Sequence, residues 1–351
     1  MAGTSTAAVV KLAELPDNQE AVTFAALIKK ERGTTKKGEP FIKCYFRDRD
    51  TVVEAPIWAN SRLLKQAETW VDGIAYRLTV RSSYNARYGL QIEILDIRPA
   101  SDEEDAADGY RFFDLVERSE VDPEENFRKL RELILGSVDD SYIRRLLDDL
   151  LDRHGDLFKR MPAAQNFHHS YTGGLLEHVW SMTRVAKFLA DHYARYYYRL
   201  DPPLNKSVVL AATVLHDIGK LRELEYHPVE AKYTTEGCLI GHVLMGRDMV
   251  REAAQRIEGF PKETLLLLEH AILAHHGKKE YGAPILPQTI EALLVSFIDD
   301  LDAKMNIVAH HRLRAGTEGV FTDKVYALDN RRFYKGVSCQ PVDEADLSDP
   351  S

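Results

Sequence analysis

The chain of 351 residues has few cysteines and no long apolar run. Its three cysteines, Cys44, Cys238 and Cys339, are scattered and never form a C-x-x-C pair. This argues against a disulfide framework or a thiolate zinc site and favours a reducing compartment. No stretch of roughly 18 apolar residues occurs, and residues 1–6 lack the basic and apolar parts of a secretion signal. We therefore expect a soluble, cytoplasmic protein with no membrane partner.

Histidine is absent from the first 150 residues, and all 13 histidines follow. Residues 1–100 hold 15 Lys and Arg against 12 Asp and Glu, whereas the remainder holds 31 against 43. A mildly basic front therefore precedes an acidic, histidine-rich back. The apolar fraction of 44% is that of a globular protein. This asymmetry predicts a binding module joined to a catalytic module.

The pattern between residues 21 and 98 is typical of β-structure. Five short runs are rich in β-branched and aromatic residues, and one helical stretch, residues 61–71, separates the third run from the fourth. Five strands with a helix before the fourth is the element order of an OB-fold barrel, with a small β-sandwich as the alternative. The five runs are residues 22–28, 40–46, 51–58, 74–80 and 90–97.

After an acidic run, Asp102 to Asp108, which we expect to be a solvated linker, the chain becomes helical. Apolar residues recur at helical spacing from Pro123 to Leu151, and no strand-like alternation follows. We expect an all-α bundle and then a polar extension or tail. The predicted domains are residues 1–100 (barrel), 101–160 (acidic linker and connecting helices), 161–320 (helical bundle) and 321–351 (extension or tail). The further predicted helices are residues 175–199, 206–216, 239–257, 262–274 and 287–310.

Histidine and aspartate recur on successive predicted helices of the bundle. Imidazole and carboxylate are ligands of divalent ions, and packed helices can each aim one such side chain at a common interior point. A bound ion lowers the pKa of its water and supplies hydroxide near neutral pH. A single helical histidine is more often a core or surface residue, and we assign His154, His192, His227, His270, His310 and His311 to that class. The candidate ligands are His178, the His216-Asp217 pair, His242, the His275-His276 pair and Asp299.

The order of these motifs resembles the HD-domain phosphohydrolase superfamily over residues 167–304. In superfamily members that bind two ions, the aspartate of the His-Asp pair bridges both. The resemblance therefore implies a bridging role for Asp217. Such a pair of ions stabilises both the attacking and the leaving oxygen of a phosphoryl displacement. The sequence does not choose between a metal ligand and a phosphate contact for His276. By the resemblance, the first ion is held by His178, His216, Asp217 and Asp299. His242 and His275 match the additional histidines of members that bind a second ion.

Further polar residues flank these motifs. Lys220 suits a phosphate oxygen as a point charge, or is a surface lysine at a helix end. His168 and His169 can face the substrate, and we expect His169 and Lys220 to act in catalysis together with Asp217. Residues 172–174 can offer N–H groups to a phosphate, or they form a plain helix start.

Basic residues alternate with aromatic residues on both hairpins of the predicted barrel. OB barrels bind single strands through a basic groove and aromatic side chains that stack on bases. A charge run is more often a solvated face, but the interleaving favours nucleic acid, and the small net charge predicts salt-sensitive binding. The candidate nucleic-acid contacts are Lys36, Lys37, Lys43, Tyr45, Arg81, Tyr84, Arg87 and Tyr88.

A barrel followed by an HD domain resembles the YhaM family of bacterial 3′→5′ exoribonucleases, in phrases at residues 168–178, 215–220 and 298–304. The resemblance implies a homo-oligomer that shortens single-stranded RNA, or DNA, to nucleoside 5′-monophosphates by metal-activated hydroxide. It also implies manganese, with iron, zinc, magnesium or nickel as alternatives, as one or two ions per chain. The first alternative function is an HD-type phosphodiesterase or phosphohydrolase of nucleotides or cyclic dinucleotides. The second is a non-catalytic RNA-binding protein.

Overall fold

The computed structural model describes most of the chain. Among the described residues, no helix combines the length and the apolar character needed to cross a membrane. Four residues named from the sequence, Arg87, Tyr88, His168 and His169, lie outside the described residues. The described residues are 9–49, 51–85, 89–116, 118–119, 121–163, 171–227, 231–314 and 319–336.

The front of the chain forms a closed barrel of five strands. The strands are β1 (Glu20–Thr34), β2 (Pro40–Arg47), β3 (Val52–Trp58), β4 (Ala75–Asn85) and β5 (Gly89–Pro99). Strand β1 pairs with β2 and β4, and β3 closes on β5, so the order around the barrel is β1-β2-β3-β5-β4. The core follows from the alternation along the strands, as in β2, where Ile42, Cys44 and Phe46 are buried. The predicted OB-fold barrel is therefore confirmed over the sandwich.

The helix between β3 and β4 is shorter than the predicted stretch of residues 61–71. Helix α1 spans only Leu64–Ala67. Lys30 donates its ammonium protons to the carbonyls of Ala67 and Trp70, at 3.0 and 2.6 Å. Trp70 is buried in the barrel, where its ring centroid lies 6.4 Å from that of Phe46. Burial of this indole redirects the chain after one helical turn.

The back of the chain is helical, and α6 is its centre because this helix is buried from Ser207 to Leu215. Helices α5, α10 and α11 pack around α6. A hairpin of β6 (Leu224–Glu225) and β7 (Lys232–Tyr233) was not predicted. The helices are α2 (Asp102–Asp105), α3 (Pro123–Ser137), α4 (Ser141–Phe158), α5 (Gly174–Tyr196), α6 (Lys206–Leu215), α7 (Lys220–Glu223), α8 (Thr235–Ile240), α9 (His242–Gln255), α10 (Lys262–Ala274) and α11 (Ile290–Arg314).

Two predicted helices are each broken in two by local chemistry. The stretch from Pro123 to Leu151 is interrupted where Asp140 accepts hydrogen bonds from the N–H groups of Tyr142 and Ile143 and so caps α4. The stretch of residues 239–257 is interrupted at Gly241, whose φ of 81° lies in the left-handed region. This second break places His242 at the first position of α9.

The acidic run is exposed as expected except at Asp105, and part of the C-terminal extension is buried. Asp105 is fully buried, and it accepts hydrogen bonds from both terminal nitrogens of Arg98 at 2.8 and 2.5 Å. These hydrogen bonds hold the pKa of Asp105 below its usual range despite burial. Within residues 319–336, Val325 and Leu328 are buried, so this part of the extension packs against the protein.

Candidate metal centre

Five chain segments bring the predicted ligands into the interior of the helical domain. His178 lies on α5, one turn past its start. His216 ends α6, and Asp217 follows it in the turn that leads to α7. His275 ends α10, and Asp299 lies near the middle of α11. Together with His242 at the start of α9, these residues meet because all five helices pack around one core.

The four residues predicted for a first ion form one cluster. Nε2 of His178 lies 3.3 Å from Oδ1 of Asp299. Nε2 of His216 lies 3.9 Å from that same oxygen and 3.3 Å from Oδ2 of Asp217. All four side chains are buried or nearly so. Their spacing suits a single divalent ion that touches each of them.

A second cluster shares Asp217. Its other oxygen, Oδ1, lies 3.4 Å from Nε2 of His242 and 3.7 Å from Nε2 of His275. Nε2 of His276 lies 3.4 Å from Nε2 of His242, so three imidazoles group here. The two carboxylate oxygens of Asp217 therefore face two different sets of histidines. Asp217 could therefore help to hold two ions, one on the side of each set.

The buried nitrogen and oxygen atoms that face the centre suit the binding of a cation. Nε2 of His216, Nε2 of His275 and Oδ1 of Asp217 are buried and make no hydrogen bond. Each orphaned atom of this kind costs roughly 1–3 kcal/mol. The opposite ring nitrogens, Nδ1, lie 2.8 and 2.6 Å from the carbonyls of Thr213 and Ile272, which fixes the Nδ1–H tautomer. Burial also lowers the pKa of His275 well below its usual range. Both imidazoles thus present a lone pair to the centre.

Two acidic side chains orient the remaining histidines from outside. Oδ2 of Asp302 lies 2.7 Å from Nδ1 of His178, and Ser181 donates its hydroxyl proton to Asp302. Oε1 of Glu223 lies 2.9 Å from Nδ1 of His242 and accepts the backbone N–H of the same residue. Carboxylate partners of this kind fix ring orientation and increase ligand basicity. The sequence analysis did not identify Glu223 as a partner of His242.

Opposite charges lie close together around the centre and shift one another's pKa values. Burial alone would lower the pKa of His178, but its hydrogen bonds with Asp299 and Asp302 outweigh burial and raise it to about 9. Burial alone would raise the pKa of Asp217, but the ammonium of Lys220 and nearby imidazole hold it well below its usual range. The ammonium lies 2.6 Å from Oδ2 of Asp217. Lys220 is thus a buried partner of a candidate ligand, and its reading as a surface lysine is wrong.

Of the candidate nucleic-acid contacts that the structure describes, three are engaged with carboxylates of the barrel itself. Lys36 and Lys37 are exposed in the turn between β1 and β2, and Tyr84 is 72% exposed near the end of β4. Lys43 instead pairs with Glu54 at 3.0 Å, and Arg81 pairs with Glu20 at 2.6 Å. Tyr45 donates its hydroxyl proton to Glu31.

An aromatic pair on the barrel was missed by the sequence analysis. Phe41 and Trp58 lie on neighbouring strands, with ring centroids 5.2 Å apart, and Trp58 is 47% exposed. The Phe41 ring covers Gly33, where an added Cβ would lie only 2.4 Å from it. The alternation along β3 could have identified Trp58 as exposed, because this residue lies on the same outward-facing side of the strand as Glu54. This pair lies on the strand face that OB barrels use for oligonucleotides.

Comparisons with known proteins match both halves of this description. The HD domain family matches residues 175–304, and a second family with a provisional helicase description matches residues 127–203. The 3′-5′ exoribonuclease YhaM of Geobacillus sp. strain WCH70 is 34% identical over 91% of this chain and 93% of its own length. The chain belongs to the YhaM family. The YhaM proteins of Bacillus licheniformis and Bacillus pumilus are 33% and 32% identical over 91% of this chain and 96% of their own lengths.

Among solved structures, a domain of replication protein A from Methanococcus maripaludis is similar to the barrel region. It is 15% identical and covers 26% of this chain and 96% of its own, with a TM-score of 0.22. A likeness of that size carries no functional conclusion. The assignment of the barrel rests on its strand order.

Proposed function

We propose that this protein is a metal-dependent 3′→5′ exoribonuclease that releases nucleoside 5′-monophosphates from single-stranded RNA, with single-stranded DNA as a further substrate. The observation that carries the proposal is the position of Asp217, whose two oxygens face two histidine clusters. The matched relatives are named 3′-5′ exoribonucleases, and the match covers nearly their whole length. The aromatic pair on the barrel supports binding of a single strand.

The residues of the site divide the chemistry between them. Divalent ions held here would lower the pKa of water and stabilise negative charge on the phosphate. His216 and His275 present buried lone pairs, so no reorganisation is needed to receive an ion. Lys220 shares Oδ2 of Asp217 and is the nearest protein cation for a phosphate oxygen once that carboxylate is neutralised. Catalytic contacts by His169 remain part of the proposal.

The donor set favours a borderline ion over magnesium. Imidazoles supply half of the first cluster and three of the four side chains of the second. Magnesium, in contrast, prefers oxygen ligands and keeps several of its waters. We therefore propose manganese as the activating ion, with iron, zinc or nickel as competitors for the same donors. Two ions per chain would satisfy both sets of histidines through Asp217.

The test is an RNA degradation assay. A 5′-labelled single-stranded RNA and a panel of nucleotides and cyclic dinucleotides are incubated with Mn²⁺ or with EDTA. A ladder that shortens from the 3′ end only with Mn²⁺ supports the proposal. Turnover of nucleotides with intact RNA contradicts it in favour of a phosphohydrolase, and RNA binding without any turnover favours a non-catalytic protein.

Two neighbouring aspartates supply a matched pair of variants. Asp299→Ala removes a candidate ligand that lies 3.3 Å from His178 and should abolish hydrolysis. Asp300→Ala removes a half-exposed carboxylate that pairs with Lys304 and should leave activity near the wild-type level. Asp217→Ala should abolish hydrolysis while RNA binding by the barrel persists. Equal activity of the two α11 variants would place the chemistry elsewhere.

A homo-oligomer is also part of the proposal. Helix α11 exposes an apolar stripe at helical spacing, formed by Leu293, Phe297, Leu301 and Met305, which are 47 to 65% exposed. Monomeric proteins rarely expose contiguous apolar surface, so the stripe supports contact with a second copy. Light scattering should give a mass above that of one chain for the wild type. Phe297→Glu should shift that mass toward the monomer if the stripe is the interface.

A further inference from the structure

A cavity of about 940 Å³ lies where the barrel meets the helical domain. Arg49, from the turn between β2 and β3, contributes the barrel side of its lining. The connecting segment after the barrel contributes Arg118, and the end of α4 contributes Lys159 and Arg160. Thr172, just before α5, and Tyr226, just after β6, complete the side toward the metal centre.

The lining is basic, although the chain carries a net charge of −9. Arg49, Arg118 and Arg160 are exposed, and within the described ranges Arg160 forms no ion pair. Lys159 is held by Glu124 at 2.7 Å. The carboxylate in the lining, Asp122, already accepts the backbone N–H of Glu124 and caps α3. A concave surface lined by one sign of charge concentrates ions of the opposite sign.

Two residues of the cavity lining lie close in sequence to residues of the metal centre. Gly173 lines the cavity, and His178 follows five residues later on α5, about 7 Å along the helix axis. Tyr226 follows Glu223, which holds His242, by three residues. This part of the lining is tied down, because the N–H of Gly173 donates to the carbonyl of Arg160 at 3.0 Å.

The barrel side of the lining belongs to the hairpin that carries the exposed aromatic pair. Arg49 lies at one end of the hairpin formed by β2 and β3, and the Phe41–Trp58 pair lies at the other end of the same hairpin. Strand β2 spans about 25 Å between them. Along the chain, the lining thus adjoins both the hairpin that carries the aromatic pair and the segments that lead to the metal centre.

We propose that this cavity binds backbone phosphates of the single strand on its way from the barrel to the metal centre. This inference rests on the proposed exonuclease function and adds a subsite upstream of the scissile bond. Arginine suits the role because its planar fork pairs with two phosphate oxygens. The cavity reads no sequence, since phosphate contacts position a strand without distinguishing its bases.

The test compares two triple variants of equal charge change. The cavity variant carries Arg49→Ala, Arg118→Ala and Arg160→Ala. The control variant carries Arg128→Ala, Arg153→Ala and Arg195→Ala, three exposed arginines on α3, α4 and α5 outside the cavity lining. Each is assayed with Mn²⁺ on an RNA of about 20 nucleotides and on a dinucleotide, whose single phosphodiester is the bond to be cleaved and which therefore has no further backbone phosphate for the cavity.

The cavity variant should lose roughly tenfold or more in kcat/KM on the long RNA, and its log–log salt slope should fall by about 2, because each single-strand phosphate contact contributes about 0.7. Dinucleotide hydrolysis should stay within about twofold of the wild type. A triple lysine variant should recover only part of the loss, because lysine restores the charge and not the pairing with two phosphate oxygens. Equal loss on both substrates, or loss in the control variant alone, would overturn the proposal.

Anisotropy of labelled RNA in EDTA separates this inference from the proposed catalysis. If the cavity variant binds the long RNA more weakly than the control variant, the subsite stands even if the wild type hydrolyses no RNA. If both variants bind like the wild type in EDTA, the subsite is refuted even if the wild type is an active exonuclease. Circular dichroism of both variants confirms that each is folded before either result is read.

Discussion

Gly219 lies where the segment that carries Asp217 meets the start of α9. A Cβ added there would lie 1.9 Å from the carbonyl oxygen of His242 and 2.6 Å from the backbone nitrogen of Gly246. Both are backbone atoms, so no side chain can rotate away. The φ of Gly219 is −62°, which alanine adopts readily. The variant Gly219→Ala therefore probes steric contact alone.

The expected effect follows from the distance that must be recovered. The His242 carbonyl has to retreat by about 1.5 Å before the contact reaches an ordinary 3.4 Å. Overpacking of this kind typically costs about 1–3 kcal/mol of unfolding free energy. The same shift separates His242 from Asp217, which now lie 3.4 Å apart. Misplacement by about 1 Å can cost about 100-fold in rate, so we expect kcat/KM on single-stranded RNA to fall by at least that factor.

Gly136→Ala is the matched control. Gly136 is exposed on α3, and nothing lies within 4 Å of an added Cβ. Alanine should stabilise this helix by up to about 1 kcal/mol and leave activity unchanged. Urea unfolding gives the free energies, and degradation of labelled RNA with Mn²⁺ gives the rates. A Gly219→Ala protein with wild-type stability and rate would refute the steric argument.

Three further predictions concern the centre and the barrel. His178 is an imidazolium below about pH 9 in the metal-free protein, so Mn²⁺ affinity should rise about tenfold per pH unit from pH 7 to 9 and then level off. Calorimetry in buffers of different ionisation enthalpy should detect the released proton. An affinity that does not change with pH would contradict this assignment. Asp302→Asn should weaken Mn²⁺ binding about 10–100-fold by calorimetry, and an unchanged affinity would leave Asp302 without that role. Trp58→Ala should weaken RNA binding in EDTA by about 1–3 kcal/mol by anisotropy, whereas Trp58→Phe should not. Equal binding by both Trp58 variants would exclude stacking.

The sequence was most informative where a pattern has a fixed spatial meaning. Alternation in β2 identifies its buried face, and five such runs in order predict the barrel. The predicted end of the first strand at residue 28 is wrong, because β1 continues to Thr34. Beyond residue 28, β1 has no fully buried residue. A strand that is solvated on both faces carries no apolar alternation, so periodicity cannot detect it.

The sequence predicted which residues form the candidate site, but it did not predict the contacts that orient their side chains. The order of the motifs names the residues that the fold brings together. The contact of Glu223 with His242 depends on the left-handed turn at Gly241, which ends α8 and starts α9. The burial of Lys220 depends on a carboxylate three residues earlier in the chain. Neither follows from residue type, because glycine and lysine at helix ends are ordinarily structural or solvated.

The charges that surround the centre bear on the number of ions. Four carboxylates contact its imidazoles, namely Asp217, Asp299, Asp302 and Glu223. Lys220 supplies one fixed positive charge, and a ligating His178 is neutral. One divalent ion would therefore leave this set with net negative charge, which repels a phosphodiester anion in a medium of low dielectric. A second ion reverses the sign. The electrostatics of the chain's own residues thus favour two ions at the moment an RNA strand binds.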